Sequence, residues 1–226
     1  MEDPFLLKHT SAAELFIVRH ADAIPAADEI IPSGIYDDLP LSGVGRKQAR
    51  ALAERLGGMN FNAIYSSPLK RCLETAAPLV ELLALELVIV PELTEIRLGK
   101  VGSLPQDGND LEALNKALQE RQLEIVRVAG TTGNWDAIAG SEPSREFRKR
   151  VVTALDEIAS RHIGERVLVF AHGGVVNAYA AEVLGLEREF FYPAANTAIC
   201  VVRVAGTHRV LFTLNDLAHL AQFRRT

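Results

Sequence analysis

The sequence predicts a doubly wound α/β fold, a three-layer sandwich whose mostly parallel central sheet carries an antiparallel edge strand. Three observations predict it. Short apolar runs alternate with amphipathic helical stretches along the chain, the pattern of βαβ crossovers. The run Leu15-Phe16-Ile17-Val18 has no polar residue, as a strand covered on both faces requires. The chain closes on two β-like stretches, TAICVVRV and HRVLFTL, that read as a hairpin at the sheet edge.

Taken in order, ELFIVRH over residues 14–20 is the first strand and ends on Arg19 and His20. A loop containing Pro, Gly and Asp runs to about Leu41. SGVGRKQARALAERLGG is then a helix, with Ala49, Leu52, Ala53 and Leu56 on its apolar stripe and Gly57-Gly58 as its stop. FNAIYSS is a short strand, after which Ser67 is expected to cap a helix beginning at Pro68, placing Arg71 in the first turn; a free hydroxyl donor from Ser66 or Ser67 is the less economical alternative. LELVIVPEL reads as a strand leading to Glu95. Residues 110–128 read as a helix and Gly130 to Gly140 as a loop. SREFRKRVVTALDEIASRH is an amphipathic helix, RVLVFAH a strand ending on His172, and VVNAYAAEVLG a helix. Arg145, Arg148, Lys149 and Arg150 read as a solvated helix face. Residues 1–226 show no repeat or low-complexity linker and are expected to form one domain.

Composition narrows the function. With 48% hydrophobic residues the chain can bury a sizeable core, and a net charge of −5 with a pI near 5.7 argues against nucleic acid as a partner. Cys72 and Cys200 lack CxxC spacing and read as two buried thiols in a reducing compartment. The acidic start resembles no signal peptide, and no apolar run reaches the roughly 20 residues that span a bilayer. A soluble, cytoplasmic protein with no membrane partner is expected. Oligomeric state is open, because the terminal hairpin leaves an edge to be covered or paired.

Arg19, His20, Arg71 and His172 each fall at a strand end or in the first turn of the next helix, so the winding can bring them to one edge of the sheet. Two guanidiniums offer bidentate donors to phosphate oxygens, and a helix N-terminus adds amide donors and a positive dipole end. A neutral imidazole in such a cage can attack phosphorus, while a second, charged histidine stabilises the equatorial oxygens. Glu95 is the best-placed acid for the leaving alkoxide. The small phosphorylated molecule this cage fits is the expected partner.

These segments resemble the histidine phosphatase superfamily, also called the phosphoglycerate mutase-like superfamily. FIVRHADA is similar to its first histidine motif, LPLSGVGRKQARALAERL to the helix that follows, YSSPLKRCLETA to its "SSPL.RA.QTA" segment, VFAHGGVVNAY to its second histidine motif, and LNDLAHL to its C-terminal tail. The resemblance implies His20 as the phosphorylated nucleophile, with Arg19, Arg71 and His172 as the phosphate cage. It implies Glu95, in LTEIRLG, as general acid and base, and it implies no metal and no cofactor. Ala21 stands where the family has Gly, Asp22-Ala23 where it has Glu or Gln with Ser or Thr, Pro143 where it has Ser, and Lys100-Val101 where Trp and Glu often follow.

Mutases of this family usually carry an asparagine and an arginine soon after the nucleophile. This chain has Asp28, Glu29, Asp37 and Asp38 there instead, which repel an acidic sugar phosphate unless Arg97 or Lys100 compensates. Hydrolysis of a small monoester is therefore expected over phosphoglycerate mutase-type transfer. Two rivals remain open at this level: a metal-dependent phosphohydrolase using Asp22, Asp37, Asp38 and His172, and a non-catalytic module that binds a phosphorylated ligand. His9, His162, His208 and His219 are expected to be structural.

Overall fold

The computed structural model describes residues 3–24, 38–98 and 111–224. Its six strands are β1 (Ala13–Arg19), β2 (Ala63–Ser66), β3 (Leu87–Ile89), β4 (Arg166–Ala171), β5 (Ile199–Ala205) and β6 (His208–Asp216). The helices are α1 (Gly43–Leu56), α2 (Lys70–Leu83), α3 (Leu111–Thr132), α4 (Ser144–Arg161) and α5 (Gly173–Leu184). The strands form one sheet in the order β3-β2-β4-β1-β5-β6. β3, β2, β4 and β1 are parallel, and β5 runs antiparallel to both β1 and β6. The reversal expected at the terminal hairpin is therefore carried by β5, and the edge strand β6 runs in the direction of β1.

β1 explains the layering. Its alternate residues Ala13, Leu15 and Ile17 pack with Ile125 of α3, Leu155 of α4 and Tyr179 of α5, while Phe16 and Val18 pack with Leu52 of α1 and Leu79 of α2 on the other side. Every position before Arg19 in this strand is buried, because a strand in mid-sheet with helices on both faces has no solvated side. At its far end, buried Glu14 sits in register between Arg166 of β4 and Arg203 of β5. Burial alone would raise that carboxyl's pKa, and hydrogen bonds from the two guanidiniums more than reverse the effect.

Some elements differ from expectation. β3 is three residues long: the Val90 amide makes the last bond to β2, at the Ser66 carbonyl, and Pro91, whose fixed φ suits a first helical position, opens a 3-10 turn, Pro91–Leu93. α3 continues to Thr132, into the stretch expected to be loop. α2 begins at Lys70 with Leu69 as its N-cap and no side-chain cap, so Ser67 is released from the role the sequence suggests. Cys72 and Cys200 are free and buried. Among the described residues, no helix is long and apolar enough to cross a membrane.

Candidate active site

β1 and β4 are adjacent and parallel, with Arg19 in register with Ala171. Both strands end at the same edge, where the His20 amide donates to the Ala171 carbonyl at 2.9 Å and His172 follows as the N-cap of α5. The two imidazoles meet edge to face, with ring centroids 5.3 Å apart and ring planes at 60°. His20 Nδ1 lies 2.7 Å from the Ala21 carbonyl oxygen. A carbonyl only accepts, so Nδ1 carries the proton and Nε2 keeps its lone pair. The loop holding this arrangement is pinned from α2: the Ala21 amide donates to Thr75 Oγ1, whose hydroxyl donates to the Arg71 carbonyl.

Arg19 Nη1 donates to the Ala194 carbonyl, whereas its Nε is buried without a partner in the protein. Burial and the neighbouring Arg71 lower the Arg19 pKa, and the charges of Glu95 and Asp22 oppose that. Arg71, the second residue of α2, acts electrostatically on both imidazoles. Burial, Arg19 and Arg71 together push His20 well below the ordinary histidine range. Burial, Arg71 and His20 do the same to His172. With protein groups alone around it, His172 is thus neutral, where the sequence suggests a charged ring: full burial penalises the cation.

Glu95 lies just beyond the Pro91–Leu93 turn. Its Oε1 accepts from its neighbour Ile96 N at 3.0 Å and its Oε2 from Gly174 N at 3.1 Å, which sets the carboxylate at the N-terminus of α5 beside His172. A Cβ at position 174 would come within 2.3 Å of Oε1, so glycine is needed for this approach. Ser67 Oγ stands 2.8 Å from His172 Nε2, and Cys72 Sγ 3.5 Å from the same nitrogen. The remaining wall is the 194–197 loop. Thr197, at φ +55°, donates its N–H to the Arg19 and His20 carbonyls, and Asn196 Nδ2 donates to the His20 carbonyl. His219 Nε2 in turn contacts Thr197 Oγ1 at 2.9 Å.

The sequence matches the Histidine phosphatase superfamily (branch 1) over residues 15–217. The chain belongs to the histidine phosphatase superfamily. Within this superfamily it is 30% identical to the metal-independent phosphoserine phosphatase of Arabidopsis thaliana, over 94% of this chain and 85% of the relative. It is 29% identical to phosphoserine phosphatase 1 of Hydrogenobacter thermophilus, over 93% and 95% respectively. Its fold matches the solved structure of Bacillus stearothermophilus YhfR with a TM-score of 0.70 at 22% identity, covering 92% of this chain and all of that one. The chain is accordingly a phosphatase by class.

This histidine phosphatase brings together all five residues singled out in its sequence: Arg19, His20, Arg71, Glu95 and His172. Sequence reasoning missed two contributors, Asn196 and Thr197, and ranked a hydroxyl role for Ser67 below a capping one. Ser67 bonds His172 rather than capping a helix, and the Ser-Pro pair that suggests a cap hides this. Asn196 and Thr197 carry no motif that marks them. Arg148 and Arg150 do not form a solvated face: Arg148 donates to Glu182 and the Leu186 carbonyl, and Arg150 binds the turn that carries Glu95. Asp22, a ligand in the metal-dependent rival, has its carboxylate engaged by the Ser42 hydroxyl. Among the described residues no group of three or more His, Cys, Asp or Glu side chains could hold a metal ion. Asp28, Glu29, Asp37 and Lys100-Val101 lie outside the described residues. Arg97 is exposed.

Proposed function

We propose that residues 1–226 act as a single cytoplasmic, metal-independent catalytic domain that hydrolyses a small phosphate monoester through a phosphohistidine at His20. The observation that carries this reading is the 2.7 Å approach of His20 Nδ1 to the Ala21 carbonyl: an acceptor there commits Nδ1–H and leaves Nε2 as a free nucleophile beside two guanidiniums. In the first step the Nε2 lone pair forms the P–N bond and the ester P–O bond breaks. Its electron pair goes to the leaving oxygen, which takes a proton from Glu95. In the second step water attacks phosphorus, Glu95 accepts its proton, and the P–N pair returns to Nε2.

Arg19, Arg71 and the α5 N-terminus stabilise charge on the transferred group, and the unpartnered Arg19 Nε is a donor free for a phosphoryl oxygen. His172, neutral among protein groups alone, takes up positive character when a dianion arrives, because an adjacent anion favours the charged ring. The two buried free thiols fit a reducing compartment. Phosphoserine is the first ester to test, since two relatives bear that name.

The test is trapping. Rapid quenching of the enzyme with a panel of labelled phosphate esters should yield an acid-labile, base-stable phosphoprotein in wild type and none in His20→Ala. Label retained by His20→Ala refutes the assignment. Release of inorganic phosphate, rather than a second phosphate ester, separates hydrolysis from mutase-type transfer.

A further inference from the structure

Arg150 is the most heavily engaged guanidinium in the described part of the molecule, and none of its partners is a substrate-facing group. It lies in the second turn of α4. Its Nη1 donates to the carbonyls of Glu92 at 2.6 Å and Thr94 at 2.8 Å, and its Nη2 to the carbonyl of Glu95 at 3.3 Å. Nε and Nη2 also grip both oxygens of Glu142 at 2.8 Å each. Glu142, itself buried, reaches past Glu95 to the other side: its Oε2 accepts from Arg97 N at 3.3 Å, and its own amide donates to the Arg97 carbonyl at 2.7 Å. The plane of the guanidinium is backed by the Phe147 ring, 4.7 Å from its centroid.

The main chain is therefore bracketed on both sides of Glu95, by Arg150 at residues 92, 94 and 95 and by Glu142 at residue 97. With the backbone fixed, two amides, Ile96 N and Gly174 N, suffice to aim the carboxylate. Only a planar fork with five donors can serve three carbonyls and a carboxylate at once, which a lysine ammonium cannot. Burial of a structural ion pair does not require this geometry, since a pair alone needs no carbonyl partners along a single turn.

We propose that Arg150, with Glu142, is a positioning residue for proton transfer: it holds the turn 92–97 so that the Glu95 carboxyl reaches the leaving-group oxygen. This rests on the reading of Glu95 as general acid, and the experiment separates the two. The value of kcat/KM is measured on the alkyl phosphate that the wild type hydrolyses fastest and on 2,4-dinitrophenyl phosphate, whose leaving group needs no proton. Arg150→Met should lose on the order of 10²-fold on the alkyl ester, the scale of a misplaced catalytic group, and stay within about threefold on the dinitrophenyl ester because the proton is not required there. Glu142→Gln, a milder change that keeps the arginine, should show the same selectivity with about a 10-fold loss. Arg150→Met combined with Glu95→Gln should be no slower than Glu95→Gln alone.

Equal losses on both esters, or full activity on the alkyl ester in both variants, overturn the inference. Should Arg150→Met fail to fold, Glu142→Gln reads the same selectivity. If Glu95→Gln itself slows both esters equally, it is the general-acid reading that fails. If Glu95→Gln is selective while neither Arg150→Met nor Glu142→Gln is, the positioning role alone is refuted.

Discussion

At His20 two opposing demands meet. A nucleophilic imidazole must be neutral, yet the oxygens it is to receive call for positive charge around it. Burial and the guanidiniums of Arg19 and Arg71 satisfy both, since each disfavours the imidazolium. The acid limb of kcat/KM should accordingly lie well below the ordinary histidine value of 6.5. Arg71→Gln removes one repelling charge, so the cation becomes easier to form and the His20 pKa rises. The acid limb then moves to higher pH, and a ¹⁵N NMR titration of His20 should move with it; a resonance that titrates at the same pH in both proteins contradicts this account. The sequence makes Arg19, His20 and His172 legible because each sits at the end of an apolar run. It conceals the neutrality of His172, because depth of burial depends on what later elements lay over the ring. Ser67 is hidden by local chemistry: Ser-Pro reads as a cap, and only the fold brings a ring from residue 172 to its hydroxyl.

Helices set the reach of these side chains. The N-terminus of α1 is pressed against the segment after His20: Ser42 Oγ caps the Gly45 amide, the Ser42 amide donates to the Asp22 carbonyl, and a Cβ at residue 45 would fall 2.0 Å from that same carbonyl oxygen. Both partners of that contact are backbone, so neither can swing aside. Gly45→Ala should destabilise the protein by about 1–3 kcal/mol, the usual cost of forcing atoms into a packed contact, and should also lower turnover because Asp22 is two residues from His20, the proposed nucleophile. Urea denaturation beside steady-state kinetics checks both, and an alanine variant as stable and active as wild type refutes the contact. Amphipathic periodicity predicts α1 and α4 well. It fails for Arg148 and Arg150, because a helical stripe locates the buried apolar face but not how far a long guanidinium stem reaches to a neighbouring turn.

For the whole molecule, the buried imidazoles make stability depend on pH. His20 and His172 both resist protonation in the folded state, and His219, half-buried near Arg55, is pushed down to about 4. In the unfolded chain all three take up protons near 6.5. The unfolded state therefore binds more protons below that value. Stability present above pH 6.5 is lost as pH falls toward the folded-state pKa values, at up to about 1.4 kcal/mol per pH unit for each group. In more acid solution Glu14 and Glu142, both held below the ordinary 4.5, add to the loss. Thermal unfolding at pH 7.5 and 5.5 should give the lower midpoint at 5.5, and a flat or rising profile across that interval contradicts the buried, neutral state of the histidines.

The sheet itself was readable from alternating apolar runs. Its order was not, because nothing in a strand's own residues says that β4 lies between β1 and β2. That order has a consequence for how such an enzyme can change. The rings of His20 and His172 follow the ends of neighbouring strands in one amide ladder, so the gauge between them is inherited from a spacing common to every pleated sheet. Loops far along the chain can be rewritten to admit new alcohols without disturbing it.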